Sequence, residues 1–285
     1  MILRKLYITL GMIKFEHTVF ALPFAFIGAL LARNGLPTGW QLTWIVVAMV
    51  GARSSAMAFN RIADVHYDKL NPRTSNRALA AGTLSMGFAW AFTVAMSALF
   101  VFAAWELNSL CFYLSFPTLA ILFLYSYTKR VTLLSHVVLG FAIGCAPLAA
   151  WLAIRGDFAW PPILLCGAVM FWVAGFDLIY ALQDIEFDRK AKLFSFPSRF
   201  GVAPALALSA LFHSLTVMLL FATAMITNLG WIALAGIAIV AGILYWEHRL
   251  VTPNDLSRIN VAFFNLNGYI SILLLLTFAG DILIR

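Results

Sequence analysis

The chain has 285 residues, 63% of them hydrophobic and 11% charged, and its mean hydropathy is +0.93. Soluble domains carry about 25% charged residues, so this composition excludes one and points to an all-α, polytopic membrane protein. The formal net charge of +7 does not mark a nucleic-acid binder, because the basic residues fall in short segments that flank apolar runs.

In chain order, residues 1–16 read as an interfacial helix carrying Arg4, Lys5 and Lys14. No signal-peptide cleavage site follows them. Apolar runs of about 20 residues are long enough to cross a bilayer. Nine are read here: 17–33, 40–60, 85–105, 108–127, 131–153, 161–183, 202–226, 229–246 and 261–282, with a kink expected at Pro23. The whole chain, 1–285, is read as a single integral-membrane domain. Cys111, Cys145 and Cys166 lie in apolar segments without metal or redox spacing and read as packing residues.

Charge asymmetry orients the spans. One side collects the basic residues of the N-terminal segment and of the loops around Arg73, Lys129, Lys192 and Arg258. The other holds Arg33, Arg155 and Arg285, and Arg53 is left inside a span. The positive-inside rule makes the rich side cytoplasmic, with the N-terminus in and the C-terminus out.

Two stretches carry the chemistry. Asn60, Asp64 and Asp68 are spaced four apart, and so are Tyr180, Asp184 and Asp188. On a helix such positions share one face, roughly 5–6 Å between Cβ atoms, so each stretch lines up its carboxylates as a ridge. By the count of spans, both ridges are expected at the cytoplasmic mouth of one cavity. Opposed carboxylates need a cation between them, and Mg²⁺ uses one or two carboxylates with water and substrate phosphate. The pattern therefore predicts a diphosphate site at a membrane surface, with Asp64, Asp68, Asp184 and Asp188 as metal ligands. Asn60 would add an oxygen.

Around the ridges, Asp177 precedes Asp184 by seven residues, two turns deeper, and can hold a substrate hydroxyl or take a proton. Tyr180 can donate a hydrogen bond. Arg53 precedes Asn60 by seven and points along the same helical face, suited to a planar carboxylate. Glu16 and His17 can flank the same cavity. Arg73 and Arg77 after the first ridge, and Lys129 with Tyr125, Tyr127 and Arg130 elsewhere, can neutralise phosphate oxygens. Each of these side chains also has a plain structural reading, as an internal ion pair, a packed aromatic ring or a membrane-flanking charge.

The run from Asn60 through Asp64 and Asp68 to Arg77 resembles the first Asp-rich motif of the UbiA family of intramembrane aromatic prenyltransferases. Asp177 to Asp188 resembles the second motif, and Phe196 to Gly201 the loop after it. The resemblance covers essentially the whole chain. It implies about nine helices around a central cavity, with Mg²⁺ gripping a polyprenyl diphosphate on Asn60, Asp64, Asp68, Asp184 and Asp188. It also implies phosphate contacts from Arg77 and Lys129, and places Asp177 near an aromatic acceptor. The opening from Ile13 to Pro23, with Gly51 to Arg53, is most similar to the branch labelled 4-hydroxybenzoate polyprenyltransferase-like. Some members of that branch serve menaquinone synthesis with a dihydroxynaphthoate acceptor. Lys192 to Ser195 departs mildly from the usual loop wording.

The expected reaction is Mg²⁺-dependent transfer of a polyprenyl group to a ring carbon of an aromatic acid, in the bacterial inner membrane. Asp177 or the released diphosphate would take the ring proton. A secondary transporter is the rival class, since intramembrane Asp and Arg mark ion paths. Transporter sites sit near the midplane on broken helices, whereas these ridges lie at the mouth.

Overall fold

The computed structural model describes residues 8–13 and 18–284. The interfacial helix expected over 1–16 lies largely outside them, as do Glu16 and His17. Among the described residues the secondary structure is helical, without a strand. In chain order the helices are α1 (Thr18–Arg33), α2 (Gly39–Leu70), α3 (Met86–Leu107), α4 (Ser109–Thr128), α5 (Ser135–Arg155) and α6 (Trp160–Ala181). After a 3₁₀ turn at Leu182–Asp184 come α7 (Ile185–Lys190), α8 (Phe196–Phe200), α9 (Val202–Ile226) and α10 (Trp231–Leu250). A π-helical segment, Val261–Leu266, then leads into α11 (Asn267–Ile284).

Eight helices among the described residues are long and apolar enough to cross a membrane. The first expected span, 17–33, appears as the 16-residue α1, which contains Pro23. The chain divides into two compact units, one built from residues 1–18 and 40–127, the other from 19–39 and 128–285.

In the first unit, α2 runs 32 residues, about 48 Å at 1.5 Å per residue. The sequence ended this span at residue 60; the helix continues ten residues further and carries the whole first ridge. Gly51 lets α2 approach the α3 backbone, since a Cβ there would meet Phe100 N at 2.8 Å and Met96 O at 3.0 Å. Ser85 caps α3 by accepting from Phe88 N. The tight α3–α4 connection is made by Asn108, whose side chain accepts from Cys111 N at 2.9 Å. Phe59 of α2 stacks on Phe123 of α4, ring centroids 4.4 Å apart. Under the ridge, Met12, Ile13, Ala58, Leu79, Leu84 and Ala89 form a small core.

The second unit is built around α6, whose Leu165, Trp172, Val173 and Phe176 join Phe24, Leu220, Val240 and Phe278 in the main core. α5 and α6 are antiparallel and meet along a seam of small residues. A Cβ on Gly140 would collide with the Met170 carbonyl, and one on Gly144 would lie 2.6 Å from Cys166 O. Only glycine permits backbones this close, as in other small-residue helix contacts. α5 ends at Gly156, which is left-handed at φ 69°.

Two polar devices fix the last helices. Asn267 accepts from Trp172 Nε1 at 2.7 Å and donates to the carbonyls of Ala262 and Phe263 in the π segment. It thereby supplies a donor where the wide turn departs from α-helical pairing. Asp281, buried near the end of α11, accepts from Gly230 N at 2.8 Å and Ala233 N at 3.0 Å. A carboxylate from one helix thus caps the amino end of another, where the helix dipole favours negative charge.

Candidate active site

In the first unit the ridge stands on the last turns of α2. Asn60 donates from Nδ2 to Asp64 Oδ2 at 2.9 Å, and Arg61 Nη1 donates to Asn60 Oδ1 at 3.3 Å. The carbonyl oxygen of Asn60, expected as a ligand, accepts from Arg61, and its amide nitrogen orients Asp64. Arg61 is buried and also donates from Nε to Met12 O at 3.3 Å.

Asp64 is half-buried, and Asp68 is buried with Arg77 Nη1 2.7 Å from its Oδ1. Arg77 reaches back because the loop after α2 coils tightly. The Asn71 side chain accepts from Arg73 N, and Thr74 Oγ1 donates to Asp68 O. Arg73 is exposed on that loop. Arg53, half-buried, lies on the same continuous helix as the ridge, about 10 Å before Asn60 along the axis.

In the second unit the ridge is not one straight helix. α6 ends at Ala181, the 3₁₀ turn carries Leu182 to Asp184, and α7 carries Asp188. Three residues at about 120° each in place of 100° advance Asp184 by roughly 60° relative to Asp177. Seven residues of regular helix would leave Asp184 about 20° short of Asp177, and the turn carries it to about 40° past, so the two keep broadly one face with Asp184 rotated. Asp184 and Asp188 are both buried.

Lys129 Nζ stands 3.6 Å from Asp188 Oδ2, an oxygen that accepts no hydrogen bond from the described residues. Phe194 N donates to Lys129 O at 2.6 Å, tying the loop after α7 to this cation. That loop then turns into α8 through a capping box between Ser195 and Ser198. Tyr180 stacks on Phe263 of the π segment at 4.1 Å, which fixes its ring. Arg130 is half-buried beside Lys129 in sequence.

Asp177 has a partner that sequence reasoning missed. His136, at the start of α5, places Nδ1 2.6 Å from Asp177 Oδ2. Nothing in the apolar run around residue 136 signals this pairing; it comes from α5 lying antiparallel to α6.

The donor set suits Mg²⁺. Hard cations take oxygen ligands, and Mg²⁺ keeps several waters and substrate phosphates rather than requiring a complete protein cage. Among the described residues no three His, Cys, Asp or Glu side chains converge on one point. The carboxylates stand instead in pairs, each beside a basic residue, and one buried carboxylate oxygen on Asp188 lacks a donor.

The 4-hydroxybenzoate solanesyltransferase of Synechocystis is 33% identical over 250 residues, covering 86% of this chain and 84% of the relative. Among solved structures, the apo form of a UbiA homolog from Aeropyrum pernix superposes with a TM-score of 0.85 at 36% identity, covering 94% of this chain and 98% of that one. A UbiA homolog from Archaeoglobus fulgidus bound to DMAPP and Mg²⁺ shares the fold, with a TM-score of 0.66 at 20% identity over 93% of this chain and 98% of that one. The model of the UbiA prenyltransferase family matches residues 21–269, both acidic ridges included, and the chain is a membrane-embedded prenyltransferase belonging to that family.

Proposed function

We propose that this enzyme transfers a polyprenyl group from polyprenyl diphosphate to a ring carbon of an aromatic acid of the 4-hydroxybenzoate type, in quinone biosynthesis. Residues 1–285 act as one catalytic domain in the bacterial inner membrane, with the chemistry on the cytoplasmic side, the N-terminus in and the C-terminus out. The observation that carries the reading is the buried Asp188, its Oδ2 without a hydrogen-bond donor among the described residues and Lys129 3.6 Å away. An under-satisfied carboxylate beside a cation suits a metal-bound diphosphate and is costly otherwise. The curated 4-hydroxybenzoate prenyltransferase that aligns along most of its length supports the acceptor class.

Asp64, Asp68, Asp184 and Asp188 would hold Mg²⁺. When bound, the ion supplies charge neutralisation for the departing diphosphate. Arg77 and Lys129 bind phosphate oxygens, trading their present carboxylate partners for them. Arg73 adds charge from the loop. Arg53 pairs with the acceptor carboxylate, Asp177 accepts from its hydroxyl, and Tyr180 closes the pocket wall.

The allylic C–O bond breaks with its electron pair going to diphosphate. The ring carbon ortho to the hydroxyl supplies the pair for the new C–C bond, and its proton then passes to Asp177 or to the released diphosphate. Water must be kept from the allylic cation, a purpose that the Phe- and Leu-rich surroundings of α6 suit.

The test is incubation of membranes holding the protein with Mg²⁺, a polyprenyl diphosphate and a panel of acceptors that includes 4-hydroxybenzoate and a dihydroxynaphthoate. Mass spectrometry should find a prenylated aromatic acid. Prenylation of none of them would remove this function.

A further inference from the structure

Asp177 and His136 form a short pair of unequal exposure. The Asp177 side chain is 20% exposed, whereas that of His136 is 2% exposed. A ligand can therefore reach the carboxylate and not the imidazole. The 2.6 Å contact involves one oxygen, Asp177 Oδ2, and leaves Oδ1 available.

The imidazole is held at some cost. Among the described residues, His136 Nε2 and the neighbouring Ser135 Oγ are buried without hydrogen-bond partners, and buried polar atoms left unpaired need a reason in a native structure. A histidine placed only to tie α5 to α6 would use both ring nitrogens or give way to an apolar residue. The seam along the two helices explains how the position is kept. His136, Gly140 and Gly144 succeed one another at four-residue spacing on α5, against Asp177, Met170 and Cys166 of α6. With the backbones in contact, neither helix can slide, and the height of the imidazole beside the carboxylate is set.

We infer that His136 is the positioning residue of the acceptor site: its Nδ1–H holds one oxygen of Asp177 so that the other meets the hydroxyl of the aromatic acceptor. The hydrogen is assigned to Nδ1 because a carboxylate at this distance needs a donor. The inference rests on the acceptor class proposed above.

The experiment is two-substrate kinetics on His136→Leu, His136→Gln and Asp177→Asn in membranes, with 4-hydroxybenzoate as acceptor and 4-methoxybenzoate as its competitor lacking the hydroxyl proton. Loss of a partner that orients a functional side chain lowers activity by about 10- to 100-fold elsewhere. The expected result for His136→Leu is a loss of that size in kcat/KM for the acceptor, with the KM for prenyl diphosphate unchanged. His136→Gln, whose amide still donates, should recover most of it. The preference for the hydroxylated over the methoxylated ligand should shrink in both His136→Leu and Asp177→Asn.

Equal losses for both substrates, or an unchanged preference between the two ligands, would overturn the inference. Should His136→Leu fail to accumulate, the glutamine variant decides: one that turns over yet keeps neither the acceptor kcat/KM nor the ligand preference sinks the idea. Absence of wild-type turnover overturns the acceptor reading and this inference with it. Wild-type turnover with an indifferent His136→Leu overturns this inference alone.

Discussion

Arg77 folds back onto Asp68, its Nη1 2.7 Å from Oδ1, so a residue expected to touch phosphate is paired with one expected to hold metal. The pair is partly exposed on the arginine side, 27%, and nearly closed on the aspartate side, 8%. Lys129 and Asp188 repeat the relationship in the second unit at 3.6 Å. In each unit the cation occupies a position that a metal and a phosphate would divide between them.

Arg77→Ala should therefore raise the KM for the prenyl diphosphate by about tenfold or more, the scale of one charge-assisted hydrogen bond. The KM for the aromatic acceptor should hardly move. Initial rates with each substrate varied in turn make the comparison, and an unchanged diphosphate KM would leave Arg77 only its tie to Asp68.

Asp64→Ala and Asp184→Ala should each cut turnover by at least about 100-fold while the protein inserts and purifies normally. Loss of a metal ligand removes stabilisation of the developing charge on the leaving group. Either variant turning over at near the wild-type rate would clear that ridge of a role in the chemistry.

Chelation should abolish turnover, and added Mg²⁺ should restore it, because carboxylates cannot grip diphosphate without a cation. Transfer that persists in thoroughly chelated membranes would remove the metal from the proposal.

Arg53→Leu should raise the KM for the aromatic acid far more than that for the prenyl diphosphate, and Arg53→Lys should rescue only partly. A point charge lacks the planar fork that matches a carboxylate. Equal effects on the two substrates would assign Arg53 to a structural ion pair.

Asp281→Ala should leave kinetics intact and lower stability by about 2 kcal/mol, from the loss of hydrogen bonds to a charged acceptor. Thermal unfolding in detergent measures it. An unchanged Tm would show that solvent replaces the cap.

Much of this molecule was legible in its sequence because a bilayer leaves few alternatives: apolar runs of sufficient length become helices. The spacing of Asn60, Asp64 and Asp68 was read correctly as one helical face, since α2 runs unbroken to Leu70. The second stretch has the same spacing, yet a 3₁₀ turn interrupts it at Leu182–Asp184, and identical periodicity cannot distinguish the two backbones. The partners of Arg61, Asn60 and the Met12 carbonyl, were not legible because they come from folding. His136 was invisible for a related reason. Its significance lies 41 residues away on Asp177, and only the antiparallel seam of α5 and α6 brings them together.

The carboxylate of Asp281 also sets an order of events during synthesis. Gly230 opens α10, and its cap lies 51 residues further along the chain. The apolar residues of α10 can partition into the bilayer as soon as they emerge, but the N–H groups of Gly230 and Ala233 lack this acceptor until α11 has been made. Insertion and completion of this helix are thus separate steps in time. A nascent chain stalled before residue 281 would hold α10 in the membrane without this cap.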